Sequence, residues 1–237
     1  MVATLMHKRK PIYLLAGGKR NNQDSLNRLL QIVFKDNDIL SPSIAYIGTA
    51  NGDDKFFFER IANRFKKAGG IRVTHAIITS DKADLGKSKD ILRSADIIFV
   101  SGGDVEEGMR VLEEKNMANF LSRLYKTGKP FFGLSAGSIM LSKKWVRWSD
   151  PNDDSTANLF PCLGFAPIVC DTHGEQDNWE ELQIALKLVE DEMIGYGIVS
   201  GAAIKVYPNG NVEALGLPLH RYLHNENQVI RIADIFP

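Results

Sequence analysis

Short apolar runs separated by amphipathic stretches constrain this chain more than any other feature in it. Residues 12–16, 43–47, 97–100 and 130–134 are dominated by Ile, Leu, Val, Phe and Tyr. A strand wetted on one face alternates apolar and polar residues, so unbroken runs imply burial on both faces. Between them, Leu26, Leu29, Leu30 and Val33 recur at helical spacing, as do Phe57, Ile61 and Phe65, and then Met117, Phe120, Leu121 and Leu124. Asp53-Asp54 opens the second of these helices and Gly69-Gly70 stops it, with a further strand expected over residues 71–78. This alternation predicts an α/β fold, a three-layer sandwich with a mainly parallel central sheet. Right-handed crossovers gather the carboxyl ends of such strands along one edge, where open sheets hold their ligands. Near the end, residues 203–207 and 212–215 flank Pro208-Asn209-Gly210-Asn211, and Asn-Gly between apolar runs marks an antiparallel hairpin. Residues 228–232 suit a final edge strand. The chain has 237 residues with no internal repeat, which fits one catalytic domain over residues 1–237.

Composition removes several classes of function. Lys plus Arg and Asp plus Glu number 29 each, so there is no electrostatic footprint for nucleic acid or an anionic membrane surface. No stretch approaches the roughly 20 apolar residues of a membrane span. His7-Lys8-Arg9-Lys10 followed by an apolar run resembles the start of a signal peptide. The run is too short, however, and passes into Gly17-Gly18-Lys19-Arg20 without a cleavage site, so a cytoplasmic location is expected. Cys162 and Cys170 cannot make a disulfide framework and lack Cys-x-x-Cys spacing; they read as packed thiols. No spacing implies a metal or an organic cofactor.

Three strand ends carry glycine-rich turns: Ala16-Gly17-Gly18, Ser101-Gly102-Gly103-Asp104 and Gly133-Leu134-Ser135-Ala136-Gly137. The third follows an apolar strand and precedes Ser138-Ile139-Met140-Leu141, so strand, sharp turn and helix fall in order. Gly-x-Ser-x-Gly in that setting is a nucleophile elbow, which makes Ser135 the candidate nucleophile. Its base must come from five histidines. His7 precedes the first strand, His75 lies inside a strand pattern, and His220 and His224 fall in a polar segment where surface positions are the default. His173 follows the apolar run that ends at Asp171, and so emerges at a strand end as a base must. A third group has to fix the imidazole tautomer, and Asp150, Asp153, Asp154, Asp171 and Glu175 all lie near enough in sequence. Position alone does not choose among them. The Ala136 amide and the Gly102-Gly103-Asp104 turn are candidate oxyanion donors. A phosphate-binding loop is the rival reading of that turn, but neither Gly-x-Gly-x-x-Gly nor Gly-Lys-Ser/Thr spacing is present.

Together with Leu14-Leu15-Ala16-Gly17-Gly18, Ile47-Gly48-Thr49-Ala50, Asp171-Thr172-His173 and Gly195-Tyr196-Gly197-Ile198, these motifs resemble the dipeptidase E and cyanophycinase family of serine peptidases. That family's fold is similar to the flavodoxin-like fold of class I glutamine amidotransferases. The resemblance implies Ser135 as nucleophile, His173 as base, and the amides of Gly103 and Ala136 as the oxyanion hole. In dipeptidase E the acidic member lies fifteen residues beyond the serine, which falls on Asp150 here. This chain has Asp104 where the family often has Asn, and acidic residues after His173 where the cyanophycinase branch is basic. Arg147, between Trp145 and Trp148, is the candidate cation for an acidic substrate side chain, with Asp104 as a second candidate substrate contact. The expected activity is hydrolysis of short peptides, with an N-terminal aspartyl residue, by a monomer or homodimer. An esterase-type serine hydrolase and an amidotransferase-like binding protein without turnover are the alternatives.

Overall fold

The structure, a computed structural model, describes residues 9–17, 23–39, 41–70, 72–150, 152–189, 192–226 and 228–237. His7, Gly18 of the first glycine-rich turn and Ile71 at the start of the expected third strand lie outside the described residues. In chain order the first half comprises β1 (Ile12–Leu15), α1 (Gln23–Asp36), β2 (Ser43–Ile47), α2 (Lys55–Lys67), β3 (Arg72–Ala76), α3 (Leu85–Ser94), β4 (Ile97–Val100), α4 (Val105–Glu114), α5 (Ala118–Lys126), β5 (Phe131–Leu134) and α6 (Ala136–Leu141). The second half is richer in strands: β6 (Lys144–Trp148), β7 (Ala157–Pro161), β8 (Val169–Thr172), α7 (Glu180–Lys187), β9 (Ile194–Ile198), β10 (Ala203–Val206), β11 (Val212–Leu215), β12 (Leu219–Asn225) and β13 (Gln228–Ile235).

Seven strands form the central sheet in the order β11-β10-β1-β5-β4-β2-β3. The five from β1 to β3 are mutually parallel, while β10 runs antiparallel to β1 and β11 antiparallel to β10. Alternate residues of each central strand enter different apolar layers, as buried parallel strands require. Ile12 and Leu14 pack with Met109, Leu112, Leu121 and Ile139 of α4, α5 and α6. Tyr13 and Leu15 pack on the other face with Leu29, Leu30, Val33, Ile61 and Phe65 of α1 and α2. The three layers and the hairpin after β10 are those the sequence predicts. Helix α2 starts where expected, its Asp54 side chain accepting from the Phe57 amide at 2.6 Å.

Two features differ from the sequence reading. Residues 145–160, where no strand is predicted, are largely the antiparallel hairpin β6–β7. The run leading to His173 does not join the central sheet. It becomes β8 at the edge of a second sheet ordered β13-β12-β9-β8, in which β8 is parallel to β9. Both sheets share one apolar layer, since Cys170, Tyr196, Ile198 and Leu219 belong to the same cluster as Ile12 and Leu14. Residues 228–232 do form the start of an edge strand, β13.

Candidate active site

Ser135 stands between β5 and α6 with φ 53° and ψ −125°, a conformation an L-residue adopts only under constraint. The constraint is visible on both sides. A β-carbon at Gly133 would lie 2.5 Å from the Gly137 carbonyl oxygen, and one at Gly137 would overlap the Val100 carbonyl. The Ser135 amide donates to the Leu15 carbonyl at 2.8 Å, and the buried Ser138 hydroxyl donates to the same oxygen at 2.9 Å. The elbow is thus pinned to the end of β1.

The Ser101-Gly102-Gly103-Asp104 turn lies against it. A β-carbon at Gly102 would be 3.1 Å from Ser135 Cβ, and one at Gly103, where φ is 147°, would overlap the Ala50 carbonyl. The short 3-10 turn Thr49–Asn51 after β2 holds this loop. Ala50 accepts from the Asp104 amide at 2.7 Å, and Asn51 Nδ2 donates to the Gly102 carbonyl at 2.9 Å. The Tyr46 and Ser101 hydroxyls join the same network. Among the described residues the amides of Gly103 and Ala136 donate to no protein acceptor. The sequence singles out neither Asn51 nor Tyr46, and Ser101 only as the start of the glycine-rich turn; the one signal is that Thr49-Ala50 follows a strand end at the expected sheet edge.

His173 follows β8 with φ 67° and is exposed. Its Nδ1 lies 3.0 Å from Ser200 Oγ, and the Ser200 amide donates to Glu175 Oε1 at 2.6 Å. Ser200 sits in the turn between β9 and β10, where the two sheets meet. Its neighbour Gly201 donates to the Gly17 carbonyl at 2.5 Å, and the Gly17 β-position is 3.2 Å from the Leu134 side chain. These contacts bring His173 to the edge that carries Ser135.

The remaining predicted residues have other partners. Asp150 lies in the turn of the β6–β7 hairpin, where its Oδ1 accepts from the Asn152 amide at 3.0 Å; it makes no hydrogen bond to His173. Pro151 beside it is outside the described residues. Asp104 caps α4, accepting from the Glu107 amide at 2.8 Å. Arg147 on β6 donates to Glu106 Oε1 at 2.6 Å and lies over the Phe160 ring, so it bridges the hairpin to the first turn of α4. His75 pairs through Nε2 with Asp53 Oδ1 at 2.9 Å. Burial opposes the Asp53 charge, but His75 and the Thr79 and Ile78 amides outweigh it and hold Asp53 below the usual carboxylate range. His220 faces the Trp179 ring and pairs with Asp234, and His224 is buried, so neither has the plain surface position expected of it. Both cysteines are free, and burial pushes the Cys162 thiol up to about 12. No group of described side chains is arranged to hold a metal ion, and no helix among the described residues is long and apolar enough to cross a membrane.

A strained serine at a strand–helix turn, with a glycine turn against it and a histidine beyond a neighbouring strand, is thus carried on an amidotransferase-like fold. Residues 12–213 match the model of peptidase family S51, and the chain belongs to that family. The uncharacterized peptidase YgaJ of Bacillus subtilis is 23% identical over 199 residues, which is 82% of each chain. The pyridoxal 5'-phosphate synthase subunit PdxT of Anoxybacillus flavithermus is 29% identical over 111 residues, so the match spans about half the length of that relative. Among solved structures, a peptidase from an acI-B1 Actinobacterium superposes with a TM-score of 0.73 at 17% identity, covering 98% of both chains. A putative peptidase E protein from Listeria monocytogenes EGD-e gives 0.63 at 18% identity, over 88% of this chain and 99% of that one.

Proposed function

We propose that this peptidase is a serine exopeptidase that hydrolyses short peptides with an N-terminal aspartyl residue. The observation that carries the reading is Ser135, held at φ 53° between packed glycines with the Gly102-Gly103 turn against it. In this mechanism Ser135 Oγ bonds to the scissile carbonyl carbon as its proton passes to His173 Nε2. The carbonyl π pair moves onto oxygen, where the Gly103 and Ala136 amides receive the charge. The C–N bond then breaks and Nε2 returns the proton to the departing amine. A water adds to the acyl carbon, giving a proton to Nε2, and that proton returns to Oγ as the acyl–Ser135 bond breaks.

Arg147 supports the acidic preference. It is about half exposed, and its partner Glu106 is only two residues beyond Asp104 of the oxyanion turn. A substrate carboxylate can therefore take the place of Glu106 on the guanidinium, a charge-assisted exchange between like groups. The test is release of free amino acid from α-aspartyl dipeptides, β-aspartyl-arginine, neutral dipeptides and short acyl esters. Release confined to aspartyl peptides supports the reading; preference for neutral peptides or esters overturns the specificity.

A further inference from the structure

Five carboxylates lie near the site in sequence, and the structure separates them by their partners. Asp150 accepts from Asn152, Asp153 from Ser155, and Asp154 from the Trp148 indole. Asp171 is buried and accepts from the Thr172 amide. Glu175 alone shares a partner with the imidazole, because Ser200 touches both: its amide donates to Glu175 Oε1 and its hydroxyl is 3.0 Å from His173 Nδ1. Partial burial works against the Glu175 charge, yet the Ser200 amide and hydroxyl and the nearby imidazole outweigh it, keeping this carboxyl below its ordinary range.

The chemistry of that chain fixes a direction. A hydroxyl has one proton to donate, and a carboxylate can only accept. If the Ser200 hydroxyl donates to Glu175, it must accept from Nδ1–H, and Nε2 is then unprotonated and able to take the Ser135 proton. If it donates to Nδ1 instead, the ring proton sits on Nε2 and the base is disabled. We propose that Glu175, acting through the Ser200 hydroxyl, is the positioning acid of this site, in place of Asp150. The proposal rests on the serine peptidase reading above. The imidazolium formed during attack is stabilised through the same polarised hydroxyl. Because Ser200 lies where β9 of one sheet hands over to β10 of the other, the relay also ties the histidine loop to the elbow. The other ionisable groups around this loop include Asp171 on β8, Asp177 in the loop, Glu180 and Glu181 on α7, and His220 against the Trp179 ring, and no hydrogen bond joins any of them to the imidazole among the described residues.

The test reads the ring directly, by two-bond proton–nitrogen correlations of His173 in ¹⁵N-labelled protein, without substrate and at a pH where the ring is neutral. Wild type and Asp150→Asn are expected to show the Nδ1–H tautomer. Glu175→Gln, whose amide can donate to Ser200 Oγ, is expected to shift the ring towards Nε2–H. Ser200→Ala, which keeps the backbone amide, should lose the tautomer preference even if Glu175→Gln folds poorly. In parallel, Glu175→Gln should lower kcat for the favoured peptide by a hundredfold or more with KM within about threefold, while Asp150→Asn keeps kcat within about threefold. An unchanged tautomer in both Glu175→Gln and Ser200→Ala, or a loss in Asp150→Asn as large as that in Glu175→Gln, would overturn the assignment. A wild type without peptidase activity would count against the proposed function instead, and the tautomer comparison would still decide the role of Glu175.

Discussion

At the scale of single residues, ionisation is where this molecule departs most from the behaviour of its amino acids in water. Asp171 is 7% exposed; burial first, and the Glu181 carboxylate next, push its carboxyl up to about 7. The folded chain therefore binds this proton more tightly than the unfolded chain does. Stability contributed at low pH is lost as pH climbs from about 4 towards about 7, at roughly 1.4 kcal/mol per unit of difference. Asp171→Asn keeps an acceptor for the Thr172 amide and removes the charge. Its Tm is expected to match wild type near pH 3 and exceed it at pH 8, as measured by thermal unfolding across pH; a parallel loss in both proteins would refute the account. Arg147 offers a second residue-scale test. Charge-assisted hydrogen bonds are worth about 1.5–3 kcal/mol, so Arg147→Ala is expected to raise KM for aspartyl peptides by roughly ten- to a hundredfold. Glu106→Gln removes the competing carboxylate and should lower that KM, and initial-rate kinetics on both variants checks the pair.

Among the elements, the histidine loop is the one held most tightly against its own backbone preferences. His173, Asn178 and Trp179 all have positive φ. The Trp179 ring fills the space a side chain would need at Gly174 and Gly197, with β-positions 2.7 Å from ring atoms, and its amide donates to the Gly174 carbonyl at 2.8 Å. Trp179 is the wedge that keeps the strained turn closed. Trp179→Ala is expected to cost about 3–5 kcal/mol in urea unfolding, and to lower kcat in the fraction that remains folded. A variant with wild-type stability would show that the loop is held by something else.

The same element shows why part of the fold was legible in sequence and part was not. The central strands announced themselves because each is apolar on both faces. Strand β9 reads Ile-Gly-Tyr-Gly-Ile, and its glycines are where Leu182, Leu186 and Trp179 press against the backbone, so close packing erased the apolar pattern that marks a strand. The hairpin β6–β7 was hidden because its strands alternate over only five residues each around a polar turn. The strand–turn–helix at Ser135, the strand end before His173 and the glycine turns were legible because each is written in local order. Ser200 was not: it lies 27 residues beyond His173, and only the meeting of two sheets makes it a neighbour.

For the whole molecule, stability should be graded from the shared apolar layer outward. Strands β1, β4 and β5 are buried along nearly their whole length, whereas residues 152–155 at the hairpin turn are all exposed. Local opening free energies follow burial and backbone pairing. Hydrogen exchange read by mass spectrometry is expected to be slowest in peptides covering β1, β4 and β5 and fastest at the β6–β7 turn, with the Trp179 loop protected despite its irregular backbone. Fast exchange in that loop would separate it from the rigid frame inferred here.

The proposed function depends first on Ser135 as the nucleophile, and Ser135→Ala tests that proposal most directly. Wild type and variant would be compared for free aspartate release from the favoured aspartyl peptide, with Tm recorded for both. Removing the nucleophile of a serine hydrolase typically lowers kcat by about 10⁴-fold or more, so release is expected to fall to near background at an unchanged Tm. A folded Ser135→Ala protein that retains turnover would contradict the central claim.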